Sequence, residues 1–401
     1  ALTTASTERA RPARVGTMTS KLLRGPSVPV FQAGEIGRRA AVRQRAGLAT
    51  IGMHFGQPSC GAPAAAIAAA HRALDTDVLG YWESEALRER LARHYQDSYH
   101  VQVDPKRILL TAGASAALVA CFAAMFRAGD RIALTRPGYP AYRNTLRALG
   151  IEAVEIPCGP EYHYRLTADM VAKLDPAPAG LILASPANPT GAMLDHDQLQ
   201  AVIAVCHARG ILLLSDEIYH GITFGTRAVS ALEIDPDAVV VNSFSKLYRM
   251  PGWRLGWLVV PESWAAELSS YLINMFLTPS TVAQYAALAA MDVPDDLQHY
   301  VELYGRNRTR LVAGLASLGV ANVQPPDGAF YLYADISHIT QDSLQFCRRA
   351  VDEIGVALAP GVDFDVRDGQ HTVRFSFAVS ETEVEQALAL LAEWLPGYRD
   401  R

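Results

Sequence analysis

One lysine, Lys246, follows two serines in the stretch NSFSKLYRMPGWRLGW, with Ser243 three residues before it, Ser245 next to it and the guanidinium of Arg254 eight residues after it. An amine condenses with an aldehyde to give an imine, and hydroxyls with a bidentate cation hold a phosphate. The stretch therefore suits a phosphate-bearing aldehyde cofactor. A solvated loop lysine is the plain alternative. The surrounding set weighs against it: Asp216 and Tyr219 lie 30 and 27 residues before Lys246, and Asn188 lies 58 before it.

Asp216 ends the apolar run ILLLS, and a carboxylate at a buried strand end needs a partner. The protonated pyridine nitrogen of pyridoxal phosphate would be one, and keeping that nitrogen charged makes the ring an electron sink. A helix N-cap is the other reading. Tyr219, three residues on, and Asn188, in NPTG, could both donate to the cofactor's ring oxygen and lower the imine pKa; NPTG can also be an ordinary turn. Gly113-Ala114-Ser115 lies at a strand-to-helix transition, where free N–H groups and the helix dipole bind phosphate, although Ser115 could simply cap. Tyr139, in RPGYPAY, could stack on the pyridine ring or be a core tyrosine. Arg374 sits inside the apolar strand TVRFSF. A buried arginine requires an anion, either a substrate α-carboxylate or an internal salt-bridge partner. Gly56, in HFGQP, would let backbone approach the substrate closely. His54 and His220 flank these motifs and are read as packed or hydrogen-bonded histidines, not catalysts.

These residues need elements to position them. Short apolar strands end RILLTAG (107–113), RIALTRPGYP (131–140), LILASPANPTG (181–191), ILLLSDEIYHG (211–221) and AVVVNSFSK (238–246), with helices between them, including an Ala-rich one over 115–127. Continuous apolar strands separated by helices predict an α/β fold whose mostly parallel sheet is covered on both faces. The polar signatures follow the strands, at the end where open α/β sheets form their crevice. Toward the C-terminus, GAFYLYADIS alternates like a half-exposed strand, and helices are expected over 342–354 and 381–395, making a smaller α+β domain. The expected division is a disordered tail (1–26), an arm and part of the small domain (27–62), a large cofactor-binding domain (63–295) and the small C-terminal domain (296–401).

The chain has 401 residues, is 50% hydrophobic and carries a net charge of −5. No basic stripe suggests nucleic acid or an anionic membrane, and the longest uncharged apolar run, 116–126, is far short of the roughly 20 residues that span a bilayer. Five scattered cysteines without ligand spacing argue for a reducing cytoplasm and against a metal.

Taken together, GQP, LGYW…LRERLARHY, TAGAS, RPGYPAY, ASPANPTG, SDEIYHG, NSFSK…GWRLGW, GAFYLY and VRFSFA resemble the class I/II aminotransferases, fold-type I enzymes dependent on pyridoxal 5′-phosphate, over about residues 27–396. The resemblance implies Lys246 as Schiff-base lysine and proton shuttle, Asp216 on the pyridine nitrogen, and Asn188 and Tyr219 on the ring oxygen. It implies Ala114, Ser115, Ser243 and Arg254 on the phosphate, Tyr139 stacked, and Gly56, Asn188 and Arg374 around the substrate. Tyr81 resembles the tyrosine that reaches the phosphate of the neighbouring subunit, which implies a homodimer with shared active sites. Two departures stand out. The spacer between Tyr81 and Leu87-Arg88 is about three residues short, which keeps elimination or cyclisation on the same scaffold as an alternative to transamination. The helix after TAGAS lacks the lysine that members acting on acidic substrates can carry, so aspartate is not expected as the preferred donor. A cofactor-binding regulator would need a DNA-binding domain ahead of this fold, and the residues before the arm are too few for one.

Overall fold

The computed structural model describes residues 25–320 and 323–399. The tail expected over 1–26 lies, as far as residue 24, outside them. The described residues form twelve strands: β1 (Ile51–Gly52), β2 (Ile108–Thr111), β3 (Arg131–Arg136), β4 (Glu152–Pro157), β5 (Gly180–Ala184), β6 (Leu212–Asp216), β7 (Val239–Ser243), β8 (Gly256–Val259), β9 (Tyr331–Asp335), β10 (Val356–Ala357), β11 (Ala359–Pro360) and β12 (Thr372–Ser376).

The large sheet has seven strands in the order β2-β8-β7-β6-β5-β3-β4. β8 runs antiparallel to both neighbours, so β2 to β7 all point one way. The apolar runs are continuous because both faces are covered. Leu181, Leu183 and Val240 look into one core with the helices Ala64–Thr76, Glu85–Tyr99, His196–Arg209 and Thr281–Ala290. Their neighbours Ile182, Val239 and Val241 look into another with the helices Gly113–Met125, Pro140–Ala148 and Glu262–Phe276. The Ala-rich helix starts two residues earlier than its composition suggests, at Gly113, whose positive φ of +80° makes the turn out of β2.

A third core joins the helix Gln32–Arg45 and β1 to the C-terminal elements, through Ile36, Ala40, Ile51 and Met53 packed with Val301, Leu311, Phe375 and Leu391. Here β1 pairs with β10, and β12 lies between β11 and β9. One expectation is corrected: β9 is not half-exposed. Residues 331–334 are all buried. Its alternation separates two buried faces, with Tyr331 against Tyr219 and Tyr333 against Phe364. The helix expected over 342–354 is α-helical only from Ser343 to Arg349 and continues as a π-helical turn to Ile354; the last helix runs on to Arg399. No described helix is long and apolar enough to cross a membrane.

Candidate active site

The carboxyl ends of β2, β3, β5, β6 and β7 all open on one cavity of about 440 Å³. Each parallel strand therefore delivers the residues after its last rung to the same place. Ala114 and Ser115 arrive from β2, Tyr139 from β3, Asn188 from β5, Asp216 and Tyr219 from β6, and Lys246 from β7; Gly56 and Arg374 come from the other side of the cleft.

Lys246 sits in the turn after β7, where its Nζ donates to the Gly56 carbonyl at 2.5 Å. Burial, helped by Arg374 and Arg254 and opposed by Asp216, brings its pKa down to about 8. About a tenth of the amine is thus unprotonated at pH 7, far more than for an unshifted lysine. The rate at which apoprotein condenses with pyridoxal phosphate is expected to climb about tenfold per pH unit below pH 8 and level off above it. Stopped-flow absorbance measures this; a rate still climbing at pH 10 would show an unshifted amine.

Asp216 ends β6, fully enclosed. Burial lifts its pKa to about 6 against the hydrogen bonds it accepts from the Tyr142 hydroxyl (2.5 Å) and the Ile218 N–H (3.1 Å). It caps no helix, and no basic side chain pairs with it among the described residues. Tyr219 shares a 2.7 Å hydrogen bond with the Tyr331 hydroxyl, so only one of their two hydrogens is spent between them. Asn188 accepts from Arg374 Nη1 at 2.8 Å through Oδ1, which turns its carboxamide nitrogen away from the guanidinium.

Arg374 lies in β12 and is buried. Among the described residues its hydrogen-bond partners are Asn188 and the His54 carbonyl, the latter at 2.7 Å, its Nε has none, and its guanidinium stacks on Tyr331 and Phe364. The internal salt bridge weighed for it is absent among the described residues, so a buried cation is left facing the cavity without an anion. At the opposite wall, a Cβ on Gly113 would come within 2.5 Å of Arg254 Nη2, which places that guanidinium against the first turn of the helix Gly113–Met125. The helix has no side-chain cap, so its first N–H groups and Arg254 converge on one spot.

Three sequence-derived placements read differently in three dimensions. Gly56 is needed because a Cβ there would strike the Tyr331 hydroxyl; the close approach belongs to that side chain. Ser243 is buried behind the wall and donates to Ser245 Oγ at 2.7 Å, so Ser245 is the serine that lines the cavity. Tyr81 is not brought to this cavity: it is 82% exposed. Its loop is nonetheless fastened along one face of the helix Thr281–Ala290. Thr281 donates to the Gly80 carbonyl, Gln284 bonds both the Trp82 carbonyl and the Ser84 N–H, and Tyr285 donates to Asp77 while stacking on Trp82. Sequence reasoning missed Tyr142 and Tyr331. Tyr142 stands one helical turn beyond Tyr139 in RPGYPAY, a spacing that puts both on one face. His54 and His220 stay neutral, with burial lowering each to about 4.

The residues fit pyridoxal phosphate. A buried carboxylate without a cation, an anion cradle at a helix start, hydroxyl and amide donors between them and a lysine of lowered pKa match the group's ring nitrogen, phosphate, ring oxygen and aldehyde in kind. No cluster of possible metal ligands occurs among the described residues.

Comparison with known proteins agrees. The family model described as aminotransferase class I and II matches residues 50–391. The chain is 41% identical over 387 residues to the valine–pyruvate aminotransferase of Mycobacterium tuberculosis, covering 95% of this chain and all of that protein. Among solved structures, an aminotransferase from Mycobacterium tuberculosis superposes with a TM-score of 0.90 at 41% identity, covering 92% of this chain and 98% of that one. The Thermus thermophilus aspartate aminotransferase with maleate gives 0.85 at 29% identity, covering 92% and 100%. Sequence, fold and site thus converge: the chain belongs to the class I and II aminotransferases and is a pyridoxal-phosphate-dependent enzyme that transfers amino groups between amino acids and 2-oxo acids.

Proposed function

We propose that this enzyme exchanges the amino group of a neutral, branched aliphatic amino acid with pyruvate, as the name of its mycobacterial relative describes. One observation carries the substrate reading. The cavity is lined by three cations, Lys246, Arg254 and Arg374. The first is the amine, the second faces the anion cradle and the third serves an α-carboxylate, so none remains for a side-chain carboxylate. The lining also includes the aromatic side chains Phe31, Phe55 and Phe364, the last against the Arg374 guanidinium.

Within this reading Lys246 carries the cofactor covalently and moves the donor's α-proton. Bound, the cofactor's pyridine ring supplies the electron sink for the charge left at the donor's α-carbon. Asp216, oriented by Tyr142, holds the ring nitrogen protonated. Tyr219 and Asn188 donate to the ring oxygen, and Tyr139 stacks. Ala114, Ser115 and Arg254 grip the phosphate, with Ser245 in the place first given to Ser243. The Arg374 fork holds the substrate carboxylate, and Asn188 fixes the angle of that fork.

We further propose a homodimer. The fastened loop presents Val78, 97% exposed, and Tyr81 to solvent; apolar groups so displayed on a braced loop suit a second copy, whose site Tyr81 would reach. A large domain over 63–295 and a small one formed by 27–62 with 296–401 follow the separation of cores. Five free thiols support a cytoplasmic setting, and a reversible exchange of this kind serves amino-acid biosynthesis.

Titrating the holoenzyme with a panel of L-amino acids without acceptor tests the donor. L-valine is expected to bleach the visible band at the lowest concentration and pyruvate to restore it. Bleaching by L-aspartate at lower concentration would overturn the neutral-donor reading, and ammonia release without an acceptor would make the enzyme an eliminase.

A further inference from the structure

The helix Gln32–Arg45 has no cap of its own, since its N-cap residue, Phe31, offers no side-chain acceptor. Asp363, 331 residues away in sequence, supplies one. Its Oδ1 accepts from the Gln32 N–H and its Oδ2 from the Ala33 N–H, each at 2.8 Å. Both oxygens act as acceptors, so the arrangement calls for the ionised carboxylate, which also favours the positive end of the helix dipole. The residue is 5% exposed, and its own carbonyl accepts from Arg143 at 2.6 Å. Asp363 and Phe364 line the same cavity as Arg374, and so do Phe31, Ala33 and Gly34 from the helix start. Phe31 leans on Tyr139, with ring centroids 6.4 Å apart. No ion pair forms between Asp363 and Arg374 among the described residues.

We propose that Asp363 is a specificity-determining residue: it fastens the helix Gln32–Arg45 over the cavity so that Phe31 and Ala33 form an apolar roof, and its own charge turns away substrates whose side chain is a second carboxylate. The inference rests on the neutral-donor reading and deepens it. Attraction to neutral side chains and repulsion of acidic ones are separate devices, and here one residue supplies both. An ionised carboxylate in the wall of the cavity works against a dicarboxylate, while the substrate α-carboxylate is met by Arg374.

Two unreactive acids separate the parts: isovalerate, a branched monocarboxylate, and maleate, a dicarboxylate. Their dissociation constants are measured by calorimetry on the holoenzyme and on Asp363→Asn and Phe31→Ala. The unaltered enzyme is expected to prefer isovalerate. Asp363→Asn, which removes the charge and one of the two acceptors, is expected to shift the maleate-to-isovalerate affinity ratio toward maleate by about tenfold or more. Phe31→Ala opens the roof without altering charge, so isovalerate should weaken severalfold and maleate should not change. If Asp363→Asn shifts both acids equally, Asp363 is only a structural clasp and the inference falls. If it does not fold, Phe31→Ala decides, and equal effects on the two acids overturn the roof. If the unaltered enzyme prefers maleate, the neutral-donor reading itself has failed.

Discussion

Replacing Lys246 with alanine is expected to lower kcat by about 10⁴-fold and to remove the visible band that the holoenzyme shows. The amine has two duties at one position, to join the cofactor and to carry a proton, and Lys246 is the one lysine among the described residues that line the cavity. The Tyr219 hydroxyl is held well above its usual pKa by burial, and His54 is neutral with both ring nitrogens enclosed. Lys246→Arg keeps a cation but no longer offers a condensable amine, so it should be equally inactive. The fold should survive both changes, because the structural loss is one hydrogen bond to Gly56, worth about 1 kcal/mol. A visible band persisting in Lys246→Ala would show that another residue carries the cofactor.

Arg374→Leu comes next in size. It is expected to lower kcat/KM for the preferred donor by about 10²- to 10³-fold, as loss of one partner from a buried, hydrogen-bonded charge pair does. The defect should appear mainly in KM for donor and acceptor alike, since both bear the carboxylate that the guanidinium meets. Arg374→Lys should recover little: a point charge cannot bridge Asn188, the His54 carbonyl and a carboxylate together. An unchanged KM for both substrates would move the carboxylate site elsewhere.

Much of this was legible in sequence because the fold separates its functions along the chain. Apolar runs make the strands, and the polar residues that immediately follow them make the site. Hence Asp216, Asn188 and Lys246 could be chosen from their place after ILLLS, LILAS and AVVVN. Residues that act through a partner on another element were not legible. Tyr142 is one more aromatic in an amphipathic helix until Asp216 is seen against its hydroxyl, and Tyr331 is one more strand aromatic until Tyr219 and Gly56 are seen around it. Ser243 ends β7 and Ser245 lies in the turn two residues on, so no single period runs through both to show which one lines the cavity. β9 misled because alternation distinguishes two faces but does not say which is wet. Asp363 ends a single 3-10 turn after β11, in APGVDFD, where nothing local points to a helix start more than 300 residues earlier.

The bonds from Lys246 to Gly56 and from Arg374 to His54 close loops of 190 and 320 residues. Any partial opening that separates the two ends of the chain therefore dismantles the substrate side of the site, and a chain whose C-terminal portion has not yet docked lacks the Arg374 fork. Ligands that need Arg374 can bind only the assembled state. Each then acts as a mass-action clamp on folding: a ligand present at 100 times its dissociation constant adds about 2.7 kcal/mol to global stability. Substrate supply would thus set how long the chain survives proteolysis as well as how fast it turns over.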